Sequence, residues 1–141
     1  MTDVVFARIS AVEISLEECI SAVGGEENGA IVSFSGVVRD HDDGRSVLSL
    51  NYEGHPSAGE VITTVAAGIA AEFPSVRIAV AHRVGALMVG DLALACAVGS
   101  PHRAEAFAAC SKLIDEIKKH VPIWKEQQFV DGSSEWVGSL G

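Results

Sequence analysis

Between Val4 and Ile9 the chain is a short apolar-rich run, and the pattern that follows it is helical. Ser15-Leu16-Glu17-Glu18 reads as a capping box, with a serine hydroxyl placed to accept from a backbone N–H three residues on, and the helix it opens stops at Gly24-Gly25. Ala30 to Arg39 is rich in β-branched residues, Asp40-His41-Asp42-Asp43-Gly44 is a polar turn, and Val47 to Tyr52 resumes the strand pattern. This predicts a hairpin with a charged tip. From Ser57 the period changes: Val61, Val65, Ile69 and Phe73 recur every four residues among alanines, an amphipathic helix that Pro74 must end.

A second β block follows, with strands at Val76 to Arg83 and Leu92 to Gly99 separated by Gly85 and the turn pair Gly90-Asp91. Ser100-Pro101 predicts a helix start, serine as cap and proline at the first helical position. Phe107, Cys110, Ile114, Ile117 and Val121 form its expected buried stripe. Trp124 to Val130 reads as a strand that Asp131-Gly132 turns toward Glu135-Trp136-Val137. This order lacks the regular βαβ alternation of a doubly wound sheet. It predicts an α+β fold, mainly antiparallel with three helices, as a single domain over residues 1–141.

Composition narrows the function classes. With 48% hydrophobic residues in 141 the chain can bury a substantial core, and no stretch approaches the ~20 apolar residues of a membrane span. Asp3 and the segment after it lack the basic-then-apolar order of a signal peptide, so a soluble, cytoplasmic protein is expected. Nineteen acidic against ten basic side chains give a formal charge of −9, which argues against binding to nucleic acid or anionic membranes. Yet Arg103, Lys112, Lys118, Lys119 and Lys125 lie in one C-terminal stretch, so a local cationic site for a small anion or an acidic tail fits an acidic body. Cys19, Cys96 and Cys110 lack metal-ligand spacing and are expected as reduced core residues. The five histidines show no ligand spacing either, so no metal and no cofactor is expected.

The candidate chemistry centres on Pro122-Ile123-Trp124-Lys125-Glu126. Proline ends the helix, leaving Lys118 in its last turn and Lys125 on the emerging segment, so two ammonium groups can converge on one pocket. Such a pair suits an anionic substrate or a developing oxyanion, although lysines near a helix C-terminus also complement the dipole. Lys118 lies on the margin of the apolar stripe, whereas Lys119 turns away from it. The facing of Lys125 against Trp124 stays open. His102 and Arg103 stand at a helix N-terminus, which itself favours an anion, or are two solvated side chains. Arg39, at the mouth of the first hairpin, suits a phosphate or pairs with Asp40, Asp42 or Asp43. Arg103 and Lys118 are fifteen residues apart on one helix, roughly 22 Å at ~1.5 Å per residue. Either the site is elongated or, as preferred here, the His102-Arg103 end of one subunit meets the Lys118-Lys125 end of another across a two-fold interface.

The ordered set Phe34-Ser35-Gly36-Val37-Val38-Arg39, Tyr52-Glu53, His82-Arg83-Val84-Gly85, Ser100-Pro101-His102-Arg103, Ile114-Asp115-Glu116-Ile117-Lys118, Pro122-Ile123-Trp124-Lys125, Asp131-Gly132 and Trp136 resembles the large, catalytic subunit of molybdopterin synthase, over about Ala30 to Val137. The resemblance implies an α/β-hammerhead-like fold and sulfur transfer in molybdenum cofactor biosynthesis. There, cyclic pyranopterin monophosphate acquires its dithiolene from the C-terminal Gly-Gly thiocarboxylate of a small ubiquitin-like subunit, within a heterotetramer built around a dimer of the large subunit. It also implies Lys118 and Lys125 as catalytic residues that also bind substrate, Arg39, His102 and Arg103 as substrate-binding, and Val37, Val38, Glu126 and Gln127 as pocket lining.

Two segments depart from the family pattern. Gly54-His55-Pro56-Ser57-Ala58 stands where an alanine, an aromatic and a methionine are usual. The tail after Trp136 lacks further basic residues, so one anion contact is expected to be absent or supplied differently. The rival classes are a noncatalytic regulatory module that binds small anions and a scaffold whose hydrophobic edge docks a partner strand.

Overall fold

A computed structural model describes residues 3–138, as β1 (Val4–Ser10), α1 (Leu16–Ala22), β2 (Ala30–Val37), β3 (His41–Asp42), β4 (Arg45–Gly54), α2 (Ala58–Glu72), β5 (Arg77–Arg83), β6 (Gly85–Met88), β7 (Leu92–Ser100), α3 (Arg103–His120), β8 (Ile123–Phe129) and β9 (Ser134–Val137). One sheet has the order β1-β5-β7-β2, with β1 parallel to β5 and the other pairs antiparallel. The other has the order β3-β4-β8-β9, and β6 also pairs with β4. The α+β class, its three helices and the mainly antiparallel pairing are as expected. Among the described residues no helix is long and apolar enough to cross a membrane.

The central strands β5 and β7 are buried almost throughout because both faces of the first sheet are covered. Side chains alternate across a strand, and the alternation here separates large from small. Ile78, Val80, Leu94, Cys96 and Val98 pack against Ile62, Ala66 and Ile69 of α2 and Leu113 and Ile117 of α3. Ala79, Ala95 and Ala97 face α1, where Cys19 and Val23 close the opposite layer. The alanines let α1 approach closely, and Gly99 carries this furthest: a Cβ there would stand 2.4 Å from the Val23 carbonyl oxygen. Ile62, Leu113 and Ile117 have no exposed surface, and burying each contributes about 1.5–3 kcal/mol.

Local sequence rules account for most element ends. The Ser15 hydroxyl accepts from the Glu18 backbone N–H at 3.1 Å, as a capping serine should. Helix α2 ends at Glu72, just before Phe73-Pro74, and α3 ends at His120, just before Val121-Pro122. All three cysteines are buried and unbridged, with the Cys96 and Cys110 sulfurs 3.7 Å apart.

Three expectations need correction. The strand from Ala30 does not form a hairpin with the one ending at Tyr52: β2 pairs with β7 in the first sheet and β4 with β8 and β6 in the second. The chain stays with the first sheet through Val38, whose N–H donates to the Asp91 carbonyl, and only then crosses over. The tight hairpin is β3–β4, turning at Asp43 and Gly44, both with positive φ. Helix α3 is capped at His102 two residues later than expected, because Ser100 is drawn into β7 and buried. Phe107 is 61% exposed; the inward face instead runs through Ala106, Ala109, Cys110, Leu113, Ile114 and Ile117. The short strand β6 goes unseen in the sequence because four residues carry no readable period, and only its pairing with β4 makes it a strand.

Candidate active site

Lys118 and Lys125 flank the junction that Pro122 dictates. Lys118 is exposed in the last turn of α3, and Lys125 is half-buried in β8. The junction is tied down: the Pro122 carbonyl accepts from the His55 backbone N–H at 2.9 Å, so the start of β8 is held against the end of β4. The departing segment Gly54 to Ala58 therefore still makes an ordered turn, in which the His55 ring nitrogen Nδ1 accepts from the Ser57 N–H at 3.1 Å. Along β8, Ile123, Lys125, Gln127 and Phe129 share one face while Trp124, 41% exposed, lies on the other. That settles the facing of Lys125: it is on the inward side.

Arg39 comes to the same place from the crossover after β2. Its Nη2 donates to Asp42 Oδ1 at 3.0 Å, and Gln127 Nε2 donates to Asp42 Oδ2 at 2.8 Å. The Gln127 hydrogen bond, with the charges of Lys125 and Arg39 nearby, holds the Asp42 carboxyl below the usual carboxylate range, against a smaller upward push from burial. Gln127 is 2% exposed, so its amide is fixed. Arg39 and Gln127 thus share one carboxylate, and Lys125 lies on the same face of β8 as Gln127, two residues away. Sequence reasoning had Asp42 only as one of three possible surface partners for Arg39. The Arg39-x-x-Asp42 spacing was visible, but Gln127 lies 85 positions away along the chain.

The remaining candidates are spread more widely. Glu126 follows Lys125 in β8, pairing across the sheet with Asn51 and Trp136. Val38 is buried with Leu50, Leu87 and Ala93, whereas Val37 is 51% exposed at the end of β2. His102 and Arg103 are exposed at the start of α3, at the far end of that 18-residue helix from Lys118. One chain does not bring the two ends together. A cleft of about 330 Å³ between α2 and α3, lined by Val65, Ile69, Glu72, Lys112 and His120 among others, contains none of the candidate residues. Among the described residues no group of three or more His, Cys, Asp or Glu side chains could hold a metal ion. The end of the tail, residues 139–141, lies outside the described residues.

Two sheets with helices on the first, and lysines on either side of the junction where β8 leaves α3, define an α+β protein with the architecture of molybdopterin synthases. The crystal structure of molybdopterin synthase from Staphylococcus aureus matches with a TM-score of 0.88 and 33% identity, covering 98% of each chain. Residues 9–120 match the family described as MoaE protein, and the chain belongs to that family. The molybdopterin synthase catalytic subunit of Nostoc is 44% identical over 135 residues, 94% of this chain and 81% of that protein. Catalytic subunit 1 of Mycobacterium tuberculosis is 43% identical over 136 residues, 94% of this chain and 90% of that protein.

Proposed function

We propose that this chain, as one domain over residues 1–141, is the catalytic subunit of a cytoplasmic molybdopterin synthase. It takes sulfur from the C-terminal thiocarboxylate of a small ubiquitin-like subunit and installs it on cyclic pyranopterin monophosphate as the dithiolene of molybdopterin. The observation that carries this reading is the pair of lysines on either side of Pro122, with Arg39 joined through Asp42 to Gln127 of the second lysine's strand, in a chain so similar to catalytic subunits along nearly its whole length.

The chemistry asks for what these side chains supply. Attack by the thiocarboxylate sulfur builds negative charge on the substrate, opening of the cyclic phosphate needs a stabilised leaving oxygen, and loss of water needs proton transfer. Lys118 and Lys125 carry the proton transfers and charge stabilisation. Arg39 takes the phosphate, and His102 and Arg103 of a second copy complete the anion site in a dimer at the centre of a heterotetramer. Val37, Val38, Glu126 and Gln127 line the pocket.

The test is reconstitution. The purified chain, a thiocarboxylated small subunit and cyclic pyranopterin monophosphate together yield a dithiolene product. Lys118→Ala and Lys125→Ala each lose about 10²-fold or more in rate while keeping fold and partner binding. A noncatalytic anion-binding module would instead show altered affinity and no turnover to lose. Absence of product from competent components would overturn the proposal.

A further inference from the structure

Asp42 has the wrong sign for an anion site. Its two oxygens are used separately, Oδ1 by Arg39 at 3.0 Å and Oδ2 by Gln127 at 2.8 Å, and Lys125 stands on the same face of β8 as Gln127. The neighbouring carboxylate Asp40 pairs instead with His41 at 2.9 Å. Asp42 therefore occupies the position that an incoming oxyanion would take between a guanidinium and an amide N–H, on the strand face that also carries the Lys125 ammonium group.

The surroundings suit a removable occupant. Asp42 belongs to β3, only two residues long and paired to β4 alone, and it precedes the turn at Asp43 and Gly44. Its side chain is 25% exposed and that of Arg39 65% exposed, so the arginine is open to solvent and can exchange one anion for another. Gln127, by contrast, is buried and stays in place.

We propose that Asp42 is a built-in stand-in for the substrate's anionic group: its carboxylate holds Arg39 and Gln127 together on the Lys125 side of β8 and gives up Arg39 when an oxyanion arrives. This rests on the cluster being the anion site of the proposed reaction. The arriving oxyanion is either the cyclic phosphate of the pterin or the C-terminal carboxylate-type end of the sulfur carrier, and the two share the same charge and acceptor geometry.

The substitution that isolates the charge is Asp42→Asn, which keeps an oxygen for the Gln127 N–H and removes the repulsion toward an anion. A unit charge about 5 Å away in a solvent-exposed setting corresponds to a gain in affinity of about three- to tenfold. Amide chemical shifts of residues 39–42 and 125–127 report binding of inorganic phosphate and, in a parallel titration, of N-acetyl-glycylglycine. Asp42→Asn is expected to bind at least one of them more tightly than the natural chain, and the anion showing the larger gain identifies the source. Arg39→Ala is expected to abolish the gain. Asp42→Ser repeats the test without the amide, so a folding defect in one variant leaves the other to decide. Equal or weaker binding of both anions by the folded variants overturns the proposal and makes Asp42 a structural partner of Arg39. In the reconstituted enzyme Asp42→Asn is expected to lower KM for the pterin. Full turnover by Lys125→Ala would overturn the assignment of the catalytic lysines while leaving the phosphate result standing.

Discussion

Replacing His82 by phenylalanine is expected to flatten the acid side of this protein's stability curve. His82 is 1% exposed at the end of β5; its Nδ1 donates to the Arg83 carbonyl at 2.7 Å, and its ring meets Tyr52 edge-on with centroids 5.0 Å apart. Burial pushes the imidazole down from 6.5 to about 4, the hydrogen bond to Arg83 opposing it only in part. Because the native value lies below the unfolded one, the unfolded chain takes up the extra proton as pH falls. This contribution is therefore complete above about pH 6.5 and is lost progressively down to about pH 4. Between pH 7 and pH 5 the loss is about 2 kcal/mol, or roughly 5–10 °C in Tm for a chain of this size. Phenylalanine keeps an aromatic edge for Tyr52 and leaves the Arg83 carbonyl without that donor, an offset of about 1 kcal/mol at every pH. Asp40, Asp42 and Asp131 are held below the usual carboxylate range and remain ionised at pH 5, so they do not mask the effect. Urea unfolding of both proteins at pH 7 and pH 5, at matched concentration, measures the difference. If the natural chain and His82→Phe lose the same stability between those pH values, the imidazole is not buried in its neutral form and the reasoning fails.

Gly99→Ala is expected to cost about 1–3 kcal/mol in chemical denaturation, because its methyl group would meet the Val23 carbonyl and force α1 away from β7; an unchanged midpoint would show that α1 sits further out. Leu113→Ala should cost about 2–5 kcal/mol and Phe107→Ala less than 1 kcal/mol in the monomer's unfolding, the reverse of what size alone suggests, since Leu113 has no exposed surface and Phe107 is 61% exposed. For the composite site, mixing Lys118→Ala chains with Arg103→Ala chains should restore about one working site per mixed dimer. Confirmed mixed dimers without activity would place the whole site within one chain.

Much of this protein was legible in the residues because the rules that apply are short-ranged. A proline removes a donor and clashes one turn back, so the end of α3 before Pro122 and the placement of Lys118 and Lys125 around it follow from a few neighbouring positions. The Ser15 cap, the end of α2 before Pro74 and the Asp43-Gly44 turn are of the same kind. What tertiary structure alone decided is which strand pairs with which and which side chains meet. Pairing energy is nearly indifferent to sequence separation, so β2 joined β7 across some sixty residues in preference to its neighbour, and Ser100 was taken into the sheet when the local pattern read it as a cap. The same non-locality placed Gln127 against Asp42, 85 positions away, and turned Lys125 inward beside them. The residue types of the site can be read from the chain, but their meeting at one carboxylate depends on two crossing segments whose packing no local rule specifies.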